Sequence, residues 1–544
     1  MGESSMTAVN EVPYRTQNWT LRKPMASGRN GIVVSQNREA AEAGAAILEA
    51  GGNAADAAVA ACFALAAVEP WNSGLGGIGF AVVLKANETT AKVVDFGPVA
   101  PRGADPSAYP LTGAMKNDLF TWPEVVGDAN IHGPLSFVIP SSVAGYAALK
   151  ESFGTAMPVS ELLAPAIAMA RRGLAQDWYT TLKISSSAAV LRLYQESARI
   201  YLPNGLPPVP PYQGKPGFFR LGNLASALER LATAGLDDFY HGELAGRLVA
   251  DIHALGGVVD AEDLASCQAI VRDAPTIDWR GTHLVHTAGG LTAAPTLEAV
   301  VAGMASAKPA TGGPDADWFA TLSRVMRKAY ASRLEGLGAA TSAPGSAAKE
   351  PGDTCTTHLT VVDGEGTLVT VTTTLLSSMG SRVVLPDTGI LMNNGMMWFD
   401  PRPGSANAIA PGARPLCNMC PVIVTPKDGP GPRYAGGASG GRRILASVYQ
   451  MLAWTLDCGM GLEEAAHQPR IDVSGPDQTS ADLRLPAETL AALEQAGPVV
   501  VVEHSVLPIN FACPNLIRVD AGGADGISDV ISPWSAAVAA KDSS

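Results

Sequence analysis

The stretch from Thr354 to Leu376 reads TCTTHLTVVDGEGTLVTVTTTLL and decides the fold of this chain. It contains two runs of β-branched residues on either side of Asp363-Gly364-Glu365-Gly366, a pattern typical of a strand, a turn and a second strand. The segment before it, Gly336 to Thr354 (GLGAATSAPGSAAKEPGDT), has the composition of a linker. A linker that runs directly into a core hairpin indicates a processing site.

Thr356 is the residue at this junction that could carry chemistry. A threonine hydroxyl is a poor nucleophile unless a base lies beside it. If Thr356 becomes a new N-terminus, its own α-amine, with an ordinary pKa of about 7.7–8.0, supplies that base directly or through one water. Attack of the Thr356 hydroxyl on the Cys355 carbonyl would create this N-terminus and requires an exposed, strained peptide. Taken alone, however, most threonines in such a run are ordinary strand residues.

A glycine-rich segment, Gly437-Ala438-Ser439-Gly440-Gly441, precedes a predicted helix over Arg443 to Leu456. Glycine amides at a helix entrance suit an oxyanion because no side chain blocks close approach. The segment also fits G-x-S-x-G, the nucleophile elbow of α/β-hydrolases, with Asp457 and His467 or His504 following in suitable order. Only about a hundred residues follow, and no HGGG-type loop precedes it, so this alternative is disfavoured.

Composition excludes several classes of function. The chain has 544 residues, 47% of them apolar, which is enough for a large core. Its net charge of −13 and the lack of a basic stripe exclude nucleic acid as an expected partner. The longest apolar run, Ala57 to Val68, is too short to span a membrane, and the polar N-terminus lacks the apolar core of a signal peptide.

The seven cysteines are scattered and form no disulfide framework, so we expect a cytoplasmic protein. Cys417-Asn418-Met419-Cys420 is a C-x-x-C motif, which invites a redox or metal interpretation. Because no second ligand cluster has zinc spacing, we expect neither a metal nor a cofactor.

Five segments in fixed order resemble the γ-glutamyltranspeptidase family over most of the chain. They are GGNAADAAVAACFALAAVEPWNSGLGGIGF (51–80), Cys355-Thr356-Thr357-His358 with its continuation, Gly389 to Asn394, Arg414-Pro415-Leu416, and Gly437 to Ile444. The resemblance implies an α+β fold, the four-layer αββα sandwich of N-terminal-nucleophile hydrolases, and self-cleavage between Cys355 and Thr356. Residues 1–355 would form a large subunit and 356–544 a small subunit, together one αββα domain. The product would be a heterodimer of the two cleavage products, with higher oligomers left open.

The resemblance also implies catalytic roles. Thr356 would be the nucleophile, and the amides of Gly440 and Gly441 would form the oxyanion hole. A second hydroxyl should orient the nucleophile, and the family pattern assigns it to Thr374. A simple hairpin closing on residues 363–366 would instead put Thr373 opposite Thr356, and one bulge would shift the partner to Thr374.

The chain departs from the family where the zwitterionic γ-glutamyl group is bound. The family uses an arginine, an asparagine, a glutamine or glutamate, an aspartate and two serines. The corresponding residues here, expected to line the substrate-binding pocket, are Gly97, Leu376, Gly395, Trp398, Cys417 and Asn418. An unpaired ammonium and carboxylate in a closed pocket would be costly, whereas Trp398 can pack a flat acyl group and Asn418 can offer a neutral polar contact.

The sequence therefore predicts an amidohydrolase or acylase that forms an acyl-enzyme on a small-molecule amide other than a γ-glutamyl compound. One alternative is a γ-glutamyl hydrolase or transpeptidase with replacement contacts such as Arg102 or Arg414. The other is a catalytically silent binding relative, against which the intact Thr356-Thr357-His358 and Gly440-Gly441 argue.

Overall fold

The computed structural model describes residues 18–117, 121–307, 309, 313–336 and 354–541. The polar N-terminus and the linker residues 337–353 lie outside the described residues. Helices and strands both contribute to the structure, which confirms the predicted α+β class. Among the described residues, no helix is long and apolar enough to cross a membrane.

Two antiparallel seven-stranded sheets form the centre of the molecule. Strands are numbered in chain order, and each sheet is given from edge to edge. The sheet with the predicted hairpin, called the hairpin sheet, contains β21 (Ala536–Ala539), β2 (Gly31–Ser35), β12 (Thr354–Asp363), β13 (Leu368–Ser377), β3 (Ile78–Leu84), β4 (Lys92–Phe96) and β9 (Ile270–Asp273). The facing sheet contains β1 (Ala26–Gly28), β20 (Gly523–Ser528), β19 (Cys513–Asp520), β15 (Arg433–Ser439), β14 (Val422–Pro426), β11 (His283–Thr287) and β10 (Thr276–Trp279).

Three smaller sheets lie outside this centre. They consist of β5 (Leu111–Asn117) with β6 (Thr121–Val125), β7 (Leu174–Ala175) with β8 (Phe218–Phe219), and β16 (Ile471–Asp472) with β17 (Thr479–Asp482) and β18 (Val499–Val502).

The helices form two outer layers. On the hairpin sheet lie α1 (Arg38–Glu49), α2 (Ala54–Val68), α3 (Ser142–Phe153), α4 (Val159–Arg172), α5 (Trp178–Leu191), α6 (Gln195–Tyr201), α7 (Leu224–Ala234), α8 (Asp238–His241), α9 (Glu243–Ala254) and α10 (Ala261–Ala265). On the facing sheet lie α11 (Ala294–Gly303), α12 (Ala316–Gly336), α13 (Ile444–Leu456), α14 (Leu462–His467) and α15 (Ala487–Ala496).

Among the described residues, three hydrophobic cores lie between adjacent layers of these four. One joins the first group of helices to the hairpin sheet, and another joins the second group to the facing sheet. The third lies between the sheets, with Val82 from one and Ile423 and Ile517 from the other. The order helix, sheet, sheet, helix confirms the predicted αββα sandwich.

Helix α2 ends close to strand β12 of the hairpin. Asn53 caps it through a capping box with Asp56, as its position before the alanine-rich run predicts. Every residue of α2 is buried, because small side chains let this helix pack closely on all sides. Its C-cap is Glu69, so this carboxylate enters the buried region beside β12.

Side chains of β12 alternate between two cores. Cys355 and Leu359 belong to the core shared with the helices, whereas Val362 belongs to the core between the sheets. Because successive side chains of a strand point to opposite faces, Thr356 and His358 face the second sheet.

His358 links the two sheets. Its ring is fully buried, with Nδ1 at 2.8 Å from Thr372 Oγ1, and its carbonyl accepts a hydrogen bond from Asn515 Nδ2 at 2.8 Å. A Cβ at Gly437 would overlap this ring, so packing between the sheets explains that glycine. Burial lowers the pKa of His358 to about 3, and the imidazole is therefore neutral at neutral pH.

We expect His358→Gln to weaken the dependence of stability on pH. The comparison uses a Thr356→Ala background, which should keep the chain whole if Thr356 is the cleaving residue. The unfolded histidine binds a proton below pH 6.5, whereas the folded one stays neutral to about pH 3. As the pH decreases between these values, the contribution of His358 to the free energy of unfolding decreases by up to about 1.4 kcal/mol per pH unit.

Urea denaturation at pH 7.5, 6 and 5 measures this difference. The Gln variant should be less stable at pH 7.5, since it loses ring packing, but should lose less stability between pH 7.5 and 5. Parallel pH profiles in the two proteins would show that His358 is not a neutral core group.

Candidate active site

The Thr356 hydroxyl lies beside the peptide bond at which the sequence predicts cleavage. In the uncut chain, Thr356 Oγ1 is 2.7 Å from Cys355 O and 3.2 Å from Thr374 Oγ1. Thr374 Oγ1 donates a hydrogen bond to the same carbonyl oxygen at 2.7 Å, and it accepts one from Leu376 N at 2.8 Å. The carbonyl is therefore polarised in the sense that attack at its carbon requires.

The hydroxyl next to Thr356 belongs to Thr374 and not to Thr373. The turn closes over residues 363–366, because Gly366 N donates to Asp363 O at 3.1 Å, and Asp363 N then donates to Thr367 O at 3.2 Å. Gly366, with a φ of 89°, is therefore the extra residue of a glycine bulge, and this one bulge shifts the register to Thr374 as expected. Thr373 pairs with Thr357 and faces the helices, where its Oγ1 lies 3.0 Å from Tyr146 Oη.

A second bulge lies at Thr356 itself. Cys355 pairs with Leu376, so that Thr374 and Leu375 both lie opposite Thr356. Leu376 has a φ of 86°, in the left-handed region, where a non-glycine residue costs about 1–3 kcal/mol. Backbone strain is thus present directly across from the peptide bond predicted to break.

That peptide bond is not exposed, in contrast to the expectation from the sequence. Cys355 is 4% exposed and Thr356 is 6% exposed. Because the nucleophile and the carbonyl belong to adjacent residues of one chain, their reaction does not need access from solvent.

Two ionisable groups of the helical layer hold the neighbours of Thr356. Lys183 Nζ donates to Cys355 Sγ at 3.5 Å, and Glu69 Oε2 accepts from Thr357 Oγ1 at 2.7 Å. Burial raises the pKa of Glu69 to about 7, against the opposing effects of the Thr357 bond and the Lys183 charge. The backbone is therefore anchored on both sides of the predicted nucleophile.

Gly440 and Gly441 form the turn from β15 into α13. Their φ values of 135° and 62° favour glycine, and a Cβ at Gly440 would lie 2.9 Å from Ala512 Cα. The turn Gly441–Arg443 contacts β12. The structure thus brings the turn that begins at Gly441, directly after Gly440, to the strand that carries Thr356.

The residues of the nucleophile-elbow alternative do not form a catalytic triad among the described residues. Ser439 Oγ accepts a hydrogen bond from Gln36 Nε2, and Asp457 pairs with Arg280 at 3.1 Å. In the part of the chain that the structure describes, no hydrogen bond joins Ser439 to a histidine.

The residues predicted to bind the acyl group are all buried, and we call them the acyl wall: Gly97, Leu376, Gly395, Trp398, Cys417 and Asn418. Leu376, Trp398 and Cys417 share the core between the sheets. Asn407 links two parts of the wall, because its Nδ2 donates to Trp398 O at 2.7 Å and its Oδ1 accepts from Leu416 N at 3.2 Å. The wall is closely packed and largely apolar.

The C-x-x-C motif belongs to this buried region. Burial raises the pKa of both the Cys417 and the Cys420 thiols to about 12, so they are protonated and unreactive at neutral pH. Nearby Arg333 and Arg414 lower the pKa of Cys417, and Asp95 raises it. Within the described ranges, no three His, Cys, Asp or Glu side chains form a group suited to a metal ion.

An ion pair lies beside Gly97. Arg414 Nη2 is 2.5 Å from Asp95 Oδ1, and Arg272 Nη2 is 3.6 Å from Asp95 Oδ2. A Cβ at position 97 would lie 2.8 Å from Arg414 Nη2, so this guanidinium occupies the space where the family arginine would begin. Arg102, the other replacement contact considered, pairs with the exposed Asp260 and Glu262 and with the buried Asp263.

Known proteins with similar sequences include amide hydrolases of two kinds. The chain is 30% identical to the glutathione hydrolase proenzyme of Escherichia coli, over 88% of this chain and 87% of that protein. It is 32% identical to the acylase ACY 1 proenzyme of Pseudomonas sp. strain SE83, over 86% of this chain and 87% of that protein. Among solved structures, cephalosporin acylase from Bacillus halodurans has the same fold, with a TM-score of 0.80, 23% identity, and coverage of 97% of this chain and 99% of that one.

The sandwich and these relatives define an N-terminal-nucleophile hydrolase that acts on amide C–N bonds. Within that class, the chain belongs to the gamma-glutamyltranspeptidase family, whose model matches residues 40–343 and 298–539.

Sequence reasoning missed two side chains near the site. Glu69 lies within the family-like segment 51–80 without a role that the sequence indicates, and Lys183 lies in α5 without a motif around it. Strand alternation could have indicated that Cys355 and Thr357 need partners on the helical side, but no local signal identifies those partners.

We expect Thr374→Ala to slow self-cleavage about a hundredfold, because it removes the hydroxyl that donates to the Cys355 carbonyl. Thr373→Val is the matched control, since it changes the adjacent residue on the opposite face of β13 and should cleave at the parent rate. Mass spectrometry of freshly synthesised chains gives both rates. Equal slowing in the two variants would mean that the effect comes from the hairpin fold and not from the Thr374 hydroxyl.

Proposed function

We propose that this protein is a self-processing hydrolase that cuts itself between Cys355 and Thr356 and then hydrolyses a small-molecule amide whose acyl part is not γ-glutamyl. The observation that carries the proposal is the meeting of the Thr356 and Thr374 hydroxyls at the Cys355 carbonyl. The two curated relatives described above are both named proenzymes, which supports processing.

The cut begins with attack of Thr356 Oγ1 on the Cys355 carbonyl carbon. The hydroxyl proton passes to the departing Thr356 nitrogen, and the peptide becomes an ester while Thr374 stabilises the oxyanion. Water then hydrolyses the ester, which leaves a carboxylate on Cys355 and a free α-amine on Thr356. Residues 1–355 and 356–544 remain together as a heterodimer, because β2 and β3 of the first flank β12 and β13 of the second.

Turnover repeats this chemistry on an external amide. The α-amine of Thr356 takes the proton from Oγ1, which attacks the substrate carbonyl, and the leaving amine receives the proton. The Gly440 and Gly441 amides stabilise the oxyanion. Water hydrolyses the resulting acyl-threonine ester and restores the enzyme.

The acyl wall supports a substrate other than a γ-glutamyl compound. One observation favours the γ-glutamyl alternative, namely that the Arg414 guanidinium lies where the family arginine would begin. An α-ammonium group would still need an anion, and each oxygen of Asp95 is already paired with a guanidinium, one from Arg414 and one from Arg272.

Thr356→Ala should remain one chain and be inactive, whereas Thr356→Ser, which keeps a hydroxyl, should still be cut. N-terminal sequencing of the active protein should find a new end at residue 356. Active protein without that end would exclude the proposed nucleophile.

The processed enzyme should hydrolyse glutathione at least about a hundredfold less efficiently than an amide with an uncharged five-carbon acyl group, because a buried, unpaired ammonium is costly. The measurement is kcat/KM for glutathione and for pentanoyl p-nitroanilide. Trp398→Ala would leave a cavity costing about 3–5 kcal/mol, so Trp398→Phe is the better probe of the wall and should raise KM. Efficient glutathione cleavage would restore the γ-glutamyl alternative.

A further inference from the structure

One buried hydrogen-bond acceptor near Thr356 has no donor among the described residues. It is the carbonyl oxygen of the Gln36 side chain, Oε1. Gln36 is 5% exposed, and its other amide atom, Nε2, donates a hydrogen bond to Ser439 Oγ. Buried polar groups in folded proteins are almost always paired. The position in front of Gln36 Oε1 is therefore one where a donor is expected.

Gln36 lies on the face of the hairpin sheet that points toward the facing sheet. Val34, two residues before it, belongs to the core between the sheets, and alternate side chains of a strand share a face. The bond to Ser439 agrees with this direction, because β15 belongs to the facing sheet. Ser439 directly precedes Gly440, so the Gln36 amide is anchored one residue away from the predicted oxyanion hole.

Thr356 is a close neighbour of Gln36 on this face. Ser35 pairs with Leu359. Continuing this antiparallel register by one residue places Gln36 beside His358. Thr356 comes two residues before His358, which makes it the diagonal neighbour of Gln36, at a Cα–Cα distance of about 7–8 Å. A long side chain such as glutamine reaches across that distance.

The neighbouring His358 and Thr356 side chains do not supply the missing donor. His358 uses both ring nitrogens, Nδ1 with Thr372 at 2.8 Å and Nε2 with Thr370 at 2.9 Å. The Thr356 hydroxyl donates to Cys355 O. Cleavage would change this balance, because it converts the Thr356 nitrogen from an amide with one N–H into an amine with two, or three when protonated. The new donors would arise beside the unpaired acceptor.

We propose that Gln36 Oε1 accepts a hydrogen bond from the α-amine that cleavage creates on Thr356, and that this bond positions the amine as the base for turnover. The inference rests on the proposed self-cleavage and amide hydrolysis, and it adds a positioning residue to that site. Ser439 holds Nε2 of the Gln36 amide, which leaves Oε1 for the nucleophile. Because the base must lie within hydrogen-bond reach of the hydroxyl, a fixed N–H keeps the amine lone pair directed at Thr356 Oγ1.

Gln36→Met keeps the length of the side chain and removes its acceptor. It should be cut before Thr356 at the parent rate, because the α-amine does not yet exist. The processed variant should hydrolyse pentanoyl p-nitroanilide with kcat lowered about threefold to tenfold, the range of one neutral hydrogen bond, and with little change in KM. If the variant slowed cleavage as much as turnover, Gln36 would have a structural role and the inference would be overturned.

Ser35→Ala is the matched control. Ser35 is the residue before Gln36 in the chain, is also buried and polar, and points to the opposite face of β2. This variant should be cut and should turn over pentanoyl p-nitroanilide as the parent does. A loss of kcat in Ser35→Ala equal to that in Gln36→Met would overturn the inference, because it would attribute the effect to β2 and not to the acceptor.

The pKa of the Thr356 α-amine is a second readout that a structural role would not move. An acceptor stabilises the ammonium form, so Gln36→Met should lower this pKa. Gln36→Glu places a carboxylate beside the amine and should raise the pKa by about one pH unit or more. The rate of reductive methylation at the N-terminus of the small chain, measured by mass spectrometry across a pH series, gives the pKa without any substrate.

The other ionisable groups near this junction are the same in all these proteins. Glu69 and Lys183 lie on the helical side, and His358 lies on the face of Gln36. The Cys355 carboxylate forms at the cut itself. Opposite pKa shifts in the Met and Glu variants would therefore report on position 36.

These measurements separate the inference from the proposed function. A parent that is cut and active, with an α-amine pKa and a kcat that do not respond to position 36, would refute the Gln36 contact and leave the hydrolase. Opposite pKa shifts without turnover of any amide would refute the hydrolase and leave the contact. A parent that is not cut before Thr356 would refute both. If Gln36→Met does not fold, Gln36→Glu, which keeps the shape of the side chain, decides through the pKa alone.

Discussion

The pairing of β12 with β13 is the constraint on which the rest of the candidate site depends. A three-residue turn sets the register, and this register puts Thr374 on the same face as Thr356. At the bulge opposite Thr356, the Leu376 amide donates a hydrogen bond to the Thr374 hydroxyl oxygen. The hydroxyl proton of Thr374 is therefore free to be donated to the Cys355 carbonyl. A shift of one residue would send Thr374 to the helices and put Thr373 or Leu375 in its place, depending on the direction of the shift.

The two faces of this hairpin make different contacts. Toward the helices, Lys183 and Glu69 hold the residues before and after Thr356. Toward the second sheet, His358 fills a gap that Gly437 keeps open. Because His358 is neutral and fully hydrogen-bonded, the sheets meet through polar contacts without a buried charge.

Much of this arrangement could be predicted from sequence because its signals are local. The β-branched runs predicted the hairpin, and the five ordered motifs predicted the sandwich through their resemblance to a known family. The partner of Thr356 was harder, since one residue of turn length decides between Thr373 and Thr374. Burial of the cleavage site and the contacts of Lys183 depend on packing between distant segments, which no local pattern encodes. Arg414 could be proposed as a replacement contact, but only the fold shows it against Gly97.

The pairing of Cys355 with Leu376 has a consequence for maturation. Leu376 belongs to the acyl wall, so the backbone of Cys355 lies next to one part of the wall that the substrate must later reach. If the cleavage proposed here occurs, the segment that ends at Cys355 is a product of the reaction and also a part of the folded protein. Cleavage of the peptide bond before Thr356 and release of Cys355 from the site would therefore be separate steps. A molecule cleaved as proposed would keep Cys355 beside the site until the Lys183 contact and the pairing of Cys355 with Leu376 are released.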